Sequence, residues 1–174
     1  MLNMFVPDIY QKSIYDINYK KLKKNGIKCL LFDLDNSIAP VNSKSPSKKV
    51  KDLMEDLKEM RFKLIIVSNA PKKRVEPFKD ILCIDSSYFS LKPFKRKYKK
   101  ILQTYGFKES EIACIGDQLL TDILGANRME FTSILVNPIG TLDFALTKLN
   151  RLIENSIYNS LEKNELLKKG EYYE

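Results

Sequence analysis

Short apolar runs alternate with amphipathic stretches along the whole chain. Residues 28–34 (KCLLFDL), 63–68 (KLIIVS), 87–91 (SYFSL), 111–116 (EIACIG) and 132–136 (TSILV) read as five strands. Residues 47–60 set Val50, Leu53, Met54, Leu57 and Met60 at helical spacing, with Pro46 just ahead. Residues 71–79 read as a short helix with Pro71 in its first turn. A basic helix over 94–105 is closed by Gly106, and another helix covers 119–128. Over 141–161, Leu142, Leu146, Leu149, Ile153 and Ile157 form one apolar stripe of a long final helix, expected to pack on the core. Strands this uniformly apolar, alternating with helices, predict an α/β fold: a three-layer, doubly wound parallel sheet of Rossmann-like type. Residues 1–174 read as one domain. An arm over 1–26 docks through Tyr10, Tyr15 and Tyr19, a long helix occupies 141–165, and a frayed tail follows over 166–174.

Sheets of this kind bind ligands at the carboxyl ends of their strands. Those ends carry the chemistry: Asp33 and Asp35 after the first strand, Ser68 and Asn69 after the second, Lys92 after the third and Asp117 after the fourth, with Asp122 at the next helix start. Two carboxylates one residue apart can divide the labour, one attacking and the other moving protons. A hydroxyl and backbone N–H groups at Ser68 and Asn69 suit phosphoryl oxygens, and Lys92 adds a compact positive charge. Gly116 and Gly125 are expected only to permit close packing.

Composition narrows the options. The 174 residues include no histidine, which excludes Ser-His-Asp triads, histidine bases and histidine-ligated metals. A metal, if used, should be hard and bound through oxygen. The three cysteines, Cys29, Cys83 and Cys114, sit in or beside apolar runs and read as core thiols. The formal net charge of +8 favours anionic partners. No apolar run reaches the roughly 18 residues of a membrane span. The N-terminus lacks the pattern of a signal peptide, so a cytoplasmic location is expected, with peripheral membrane contact as an option.

In order, residue type and strand position, Asp33-Leu34-Asp35-Asn36-Ser37, Ser68, Lys92 and Gly116-Asp117…Asp122 resemble the haloacid dehalogenase superfamily of phosphotransferases. FVPDIYQKSIYDI, NGIKCLLFDLDN, IVSNA, GDQLLTDILGANR and the tail after ILVNP further resemble the YqeG-type family of its capless subclass III, related to mitochondrial phosphatidylglycerophosphate phosphatases. The one departure is Ser37, where Thr is usual. The resemblance implies a phosphomonoesterase with Asp33 as nucleophile, Asp35 as proton donor and acceptor, and Ser68 and Lys92 on the transferring group. It implies Mg²⁺ held by Asp33, Asp117 and the Asp35 carbonyl, with Asp122 in support. Ser37 and Asn69 are expected near the substrate.

The spacings leave no room for an inserted cap. About 35 residues separate Asp33 from Ser68 and about 24 separate Ser68 from Lys92, and strands and helices consume most of both. Residues 36–45 are expected to form a small flap. An open site suits a large or surface-presented phosphate, such as phosphatidylglycerophosphate or a similar anionic headgroup at a membrane. The alternatives are a soluble sugar-phosphate or nucleotide phosphatase, and a non-catalytic module binding RNA or protein. The basic run Lys95-Arg96-Lys97, with Lys99 and Lys100, reads first as a solvated face and second as a site for anionic membrane or RNA.

Overall fold

A computed structural model describes residues 2–140, 142 and 145–174. Six strands, β1 (Ile9–Gln11), β2 (Cys29–Phe32), β3 (Lys63–Val67), β4 (Asp85–Ser87), β5 (Ile112–Gly116) and β6 (Thr132–Val136), form one sheet in the order β1-β6-β5-β2-β3-β4. Every pairing is parallel. The helices are α1 (Tyr19–Lys24), α2 (Lys48–Glu59), α3 (Lys72–Leu82), α4 (Lys95–Tyr105), α5 (Leu124–Arg128) and α6 (Ala145–Lys163). The chain order reverses between β2 and β5, the switch point at which such sheets open a crevice.

Strand period two sorts β2 between the faces. Leu30 and Phe32 pack with Val50, Met54 and Leu57 of α2 and Val75 and Phe78 of α3. Cys29 and Leu31 pack with Tyr98 and Ile101 of α4 and Ala126 beside them. The expected three-layer architecture is therefore present, with no separate cap. Ser47 caps α2 by accepting the Val50 N–H at 3.3 Å, and Gly106 ends α4 at φ 70°.

Four expectations are corrected. The sheet has a sixth strand, because β1 in the N-terminal arm pairs with β6; at three residues it is too short to show an alternating pattern. The run over 87–91 is not a strand: β4 ends at Ser87, and Phe89 (φ 43°) and Leu91 (φ 55°) turn the chain towards Lys92. Cys83 is exposed as the left-handed cap of α3, whereas Cys29 and Cys114 are buried. The tail is not frayed. Tyr173 pairs with Tyr10 through two backbone hydrogen bonds of 2.9 Å, and Leu167 is buried with Tyr10, Leu135 and Leu161.

The stripe of the last helix also divides. Ile157 and Tyr158 pack against that third cluster, but Leu149 and Ile153 are exposed. The proposed start at Thr141 and the side chain of Leu146 lie outside the described residues.

Tail docking has a direct test by urea unfolding. Leu167→Ala should destabilise the protein by about 2 to 3 kcal/mol, the scale for a buried leucine. The neighbouring exposed Leu166→Ala should change stability by less than about 0.5 kcal/mol. Equal, small effects of both would show that the tail is solvated.

Candidate active site

Asp33 follows β2 directly, and its N–H continues the ladder to the Ile115 carbonyl at 2.9 Å. Asp117 follows β5 on the adjacent strand, so the two carboxylates meet across the switch point. The chain then makes one π-type turn over Leu119–Ile123, a form found often at functional sites, which carries Asp122 inward. Gly116 is necessary for this: a Cβ there would lie 2.2 Å from the Asp122 carboxyl carbon. Carboxylate oxygens of Asp33, Asp117 and Asp122 come within 4.8 Å of one another, and all three residues are buried.

Lys92 enters this cluster. Its Nζ donates to Asp33 Oδ1 at 2.6 Å and to Asp122 Oδ1 at 2.5 Å, with the Lys92 side chain only 3% exposed. The other Asp122 oxygen accepts the Gln118 N–H at 3.1 Å. Burial pushes Asp33 well above the usual carboxylate range; Lys92 opposes this and Asp122 and Asp117 add to it. Burial disfavours the Lys92 ammonium, but Asp122 and Asp33 outweigh it and raise the Lys92 pKa.

Asn69 holds Lys92 in place. Its amide accepts the Lys92 N–H at 2.7 Å and donates to the Lys92 carbonyl at 3.2 Å. Asn69 thus positions the Lys92 backbone, and it also lines the pocket beside Ser68, with its second amide N–H left for a ligand. Ser37 likewise faces the carboxylates, donating to Asp117 Oδ1 at 3.0 Å and lying 3.5 Å from Asp33 Oδ2. Ser68 is buried at the end of β3, where its Oγ accepts the Ala70 N–H at 3.1 Å and its own O–H is left to donate.

Asp35 stands outside the three-carboxylate cluster but lines the same pocket as Asp33. Its Oδ1 accepts from Arg74 Nε at 2.9 Å and Nη2 at 2.8 Å. Arg74, on α3, also donates to the carbonyls of Pro40 and Ser43, so it ties the loop over 36–45 to Asp35. Burial raises the Asp35 pKa and Arg74 counters it in part, leaving the carboxyl above its ordinary value.

Helix α6 contributes groups that the sequence did not single out. Arg151 donates to Asp117 Oδ2, to the Asp117 carbonyl at 3.0 Å and to Glu154 at 3.1 Å. Glu154 in turn accepts the Leu120 N–H at 2.9 Å, at the start of the π-type turn. Burial lifts Glu154 to about 7, and burial lifts Asp117 to about 6 against the pull of Arg151. No spacing rule links residue 151 to residue 117, although an Arg and a Glu three apart on one helix face is a readable pair.

These residues surround a pocket of about 190 Å³, lined by Asp33, Asp35, Ser68 and Lys92 and, across from them, Gln118, Thr147 and Asn150. Gln118 Oε1 is buried there with no hydrogen-bond partner among the described residues. A larger groove of about 650 Å³ lies at the amino ends of the strands, beside Ile27, Ser110 and Thr132, and among the described residues it has no such carboxylate cluster.

The cluster fits a divalent cation on its own chemistry. Its donors are hard oxygens, and the buried cysteines stand apart from it.

Known proteins share this arrangement of strands. A profile of haloacid dehalogenase-like hydrolases matches residues 6–130. The probable phosphatase YqeG of Bacillus subtilis (strain 168) is 34% identical over 159 residues, spanning 91% of this chain and 92% of that protein. The cobalt-bound deoxy-D-mannose-octulosonate 8-phosphate phosphatase of Haemophilus influenzae has the same fold, with TM-score 0.54 and 15% identity over 80% of this chain and 94% of that chain. A HAD family enzyme of Bacteroides thetaiotaomicron, solved as a magnesium complex, gives TM-score 0.52 and 14% identity over 71% and 98%.

The α6 contact makes a prediction that needs no activity assay. Arg151 favours the charged form of Asp117, so Arg151→Gln should move the Asp117 titration upward from about 6. Carboxyl carbon shifts followed by NMR against pH report this. An unmoved titration would mean that the Arg151 contact is absent in solution.

Proposed function

The chain belongs to the haloacid dehalogenase-like hydrolases and is a phosphatase, and from that premise we propose a Mg²⁺-dependent phosphomonoesterase that works through an aspartyl phosphate on Asp33. The observation carrying this reading is the buried group in which Lys92 touches both Asp33 and Asp122, with Asp117 alongside and Asp35 two residues after Asp33.

Asp33 Oδ attacks phosphorus, and the bond to the leaving oxygen breaks. Asp35, raised above its ordinary pKa by burial, gives that oxygen its proton. Asp35 then takes a proton from the water that attacks the acyl phosphate, and inorganic phosphate and the Asp33 carboxylate are released. Lys92 favours the charged form of Asp33 against its burial and balances the incoming phosphate, Asn69 fixes Lys92, and the Ser68 O–H donates to a phosphoryl oxygen. Asp33 and Asp117, with the Asp35 carbonyl, would hold Mg²⁺, and Asp122 anchors Lys92 beside them. The ion supplies the charge neutralisation that lets a carboxylate approach a phosphate dianion.

For the substrate, we propose phosphatidylglycerophosphate or a similar lipid-borne headgroup. Support comes from the uncapped mouth, the net charge of +8 and the exposed Lys95 and Arg96 just after Lys92. A second reading, a small soluble sugar phosphate or nucleotide, is favoured by the polar wall of Gln118, Thr147 and Asn150.

Turnover should disappear in EDTA and return with Mg²⁺, and Ca²⁺ should inhibit through its larger, looser coordination. Asp33→Asn should abolish turnover in a folded protein, and Asp35→Asn should slow it by about 10²-fold or more. Full turnover in EDTA, or in either variant, contradicts the mechanism. A panel of lipid phosphates and soluble phosphomonoesters separates the two substrate readings: lipid phosphates should give the higher kcat/KM, and a clear preference for a soluble ester would remove the lipid reading.

A further inference from the structure

Two segments that border the same pocket each carry a group of exposed large apolar side chains. The first is the turn before α4, with Phe89, Leu91 (61% exposed) and Phe94 (62% exposed) around Lys92. The second is the first half of α6, with Leu149, Leu152 (67% exposed) and Ile153. On α6 the division is by face. Arg151 and Glu154 bond to the residues after β5, and Thr147 and Asn150 line the pocket, while the leucines and Ile153 are left to solvent.

Water-exposed apolar side chains on the segments that supply pocket-lining residues mark a surface that is covered in use. Charge indicates what covers it. Lys95, Arg96, Lys99 and Lys100 are exposed on α4 directly after Phe94, and none is ion-paired among the described residues. A second copy meeting this face in a two-fold contact would bring the same cationic rim against itself. Large apolar tips beside unpaired cations instead match the boundary between anionic headgroups and acyl chains. Among the described residues no helix is long and apolar enough to cross a membrane, so this contact is one of lying on the surface.

Resting on the lipid-phosphate reading of the site, we infer that the rim formed by Phe89, Leu91 and Phe94 and by Leu149, Leu152 and Ile153 docks the pocket mouth against an anionic lipid bilayer. Apolar side chains enter the interface, α4 contributes the electrostatic attraction, and the pocket faces the headgroup plane.

The test uses the full chain and vesicles of phosphatidylcholine with and without phosphatidylglycerol, neither of which carries a phosphomonoester. Wild type should co-sediment with the anionic vesicles, and more weakly as salt rises. Phe94→Ser combined with Leu152→Ser should weaken that binding by about tenfold or more. Replacing Lys95, Arg96, Lys99 and Lys100 with Gln should remove the preference for anionic lipid. Both variants should keep their circular dichroism and their turnover of a small soluble ester. Failure of wild type to bind anionic vesicles, or equal binding by the serine variant, overturns the inference. So does wild-type self-association that the serine variant abolishes without any vesicle binding. Vesicle binding by an enzyme inactive on lipid phosphates would leave the docking surface standing and remove only the substrate reading.

Discussion

The ammonium of Lys92, buried between Asp33 and Asp122, is the interaction on which the rest of the site depends. Asp33, Asp117 and Asp122 would repel one another within a few ångströms in a medium that solvates them poorly. Lys92 bonds to two of these carboxylates with its one positive charge, and Arg151 pairs with the third. Removing ions from water costs several kcal/mol each, so a group of this kind weakens the case for a purely structural role. Much of the local architecture serves it. The turn with left-handed Phe89 and Leu91 delivers Lys92, Asn69 clamps its backbone, and Gly116 clears the space that Asp122 occupies.

A second constraint comes from the missing cap. Without an inserted domain, α6 supplies one wall of the pocket, and its hold on the site is polar: Arg151 on Asp117, and Glu154 on Arg151 and the Leu120 N–H. That leaves Leu149, Leu152 and Ile153 in the first half of α6 exposed among the described residues, whereas the second half covers β1 and the tail through Leu161, Ile157 and Tyr158. One helix thus closes the edge of the sheet at one end and shapes the mouth at the other.

Much of this was legible in the sequence because it depends on local pattern. Continuous apolar runs mark β2, β3, β5 and β6, and strand-end carboxylates point to the crevice between β2 and β5. What was not legible depends on distant partners. The three residues of β1 become a strand only by pairing with β6, and the tail is held by distant partners, Tyr173 on Tyr10 and Leu167 against Leu135 and Leu161. Asn69 could be read as a pocket residue because it follows Ser68, but not as the group that holds the Lys92 backbone, which the turn at 88–91 brings to its amide. Arg74 and Arg151 had no motif to announce them; each matters through one long-range pairing, to Asp35 and to Asp117. Helical spacing placed Leu149, Ile153 and Ile157 on α6, but Leu142 precedes that helix, and spacing cannot say which part of a stripe is covered: Leu149 and Ile153 are exposed.

The central claim is that Asp33 carries the phosphoryl group during turnover. Rapid acid quenching of the enzyme with substrate, followed by borohydride reduction and peptide mass spectrometry, tests it directly. Borohydride reduces an acyl phosphate, but not a free carboxylate, to the alcohol. The account predicts reduction at residue 33 alone, dependent on substrate. Reduction at another carboxylate, or none while phosphate is being released at steady state, would contradict it.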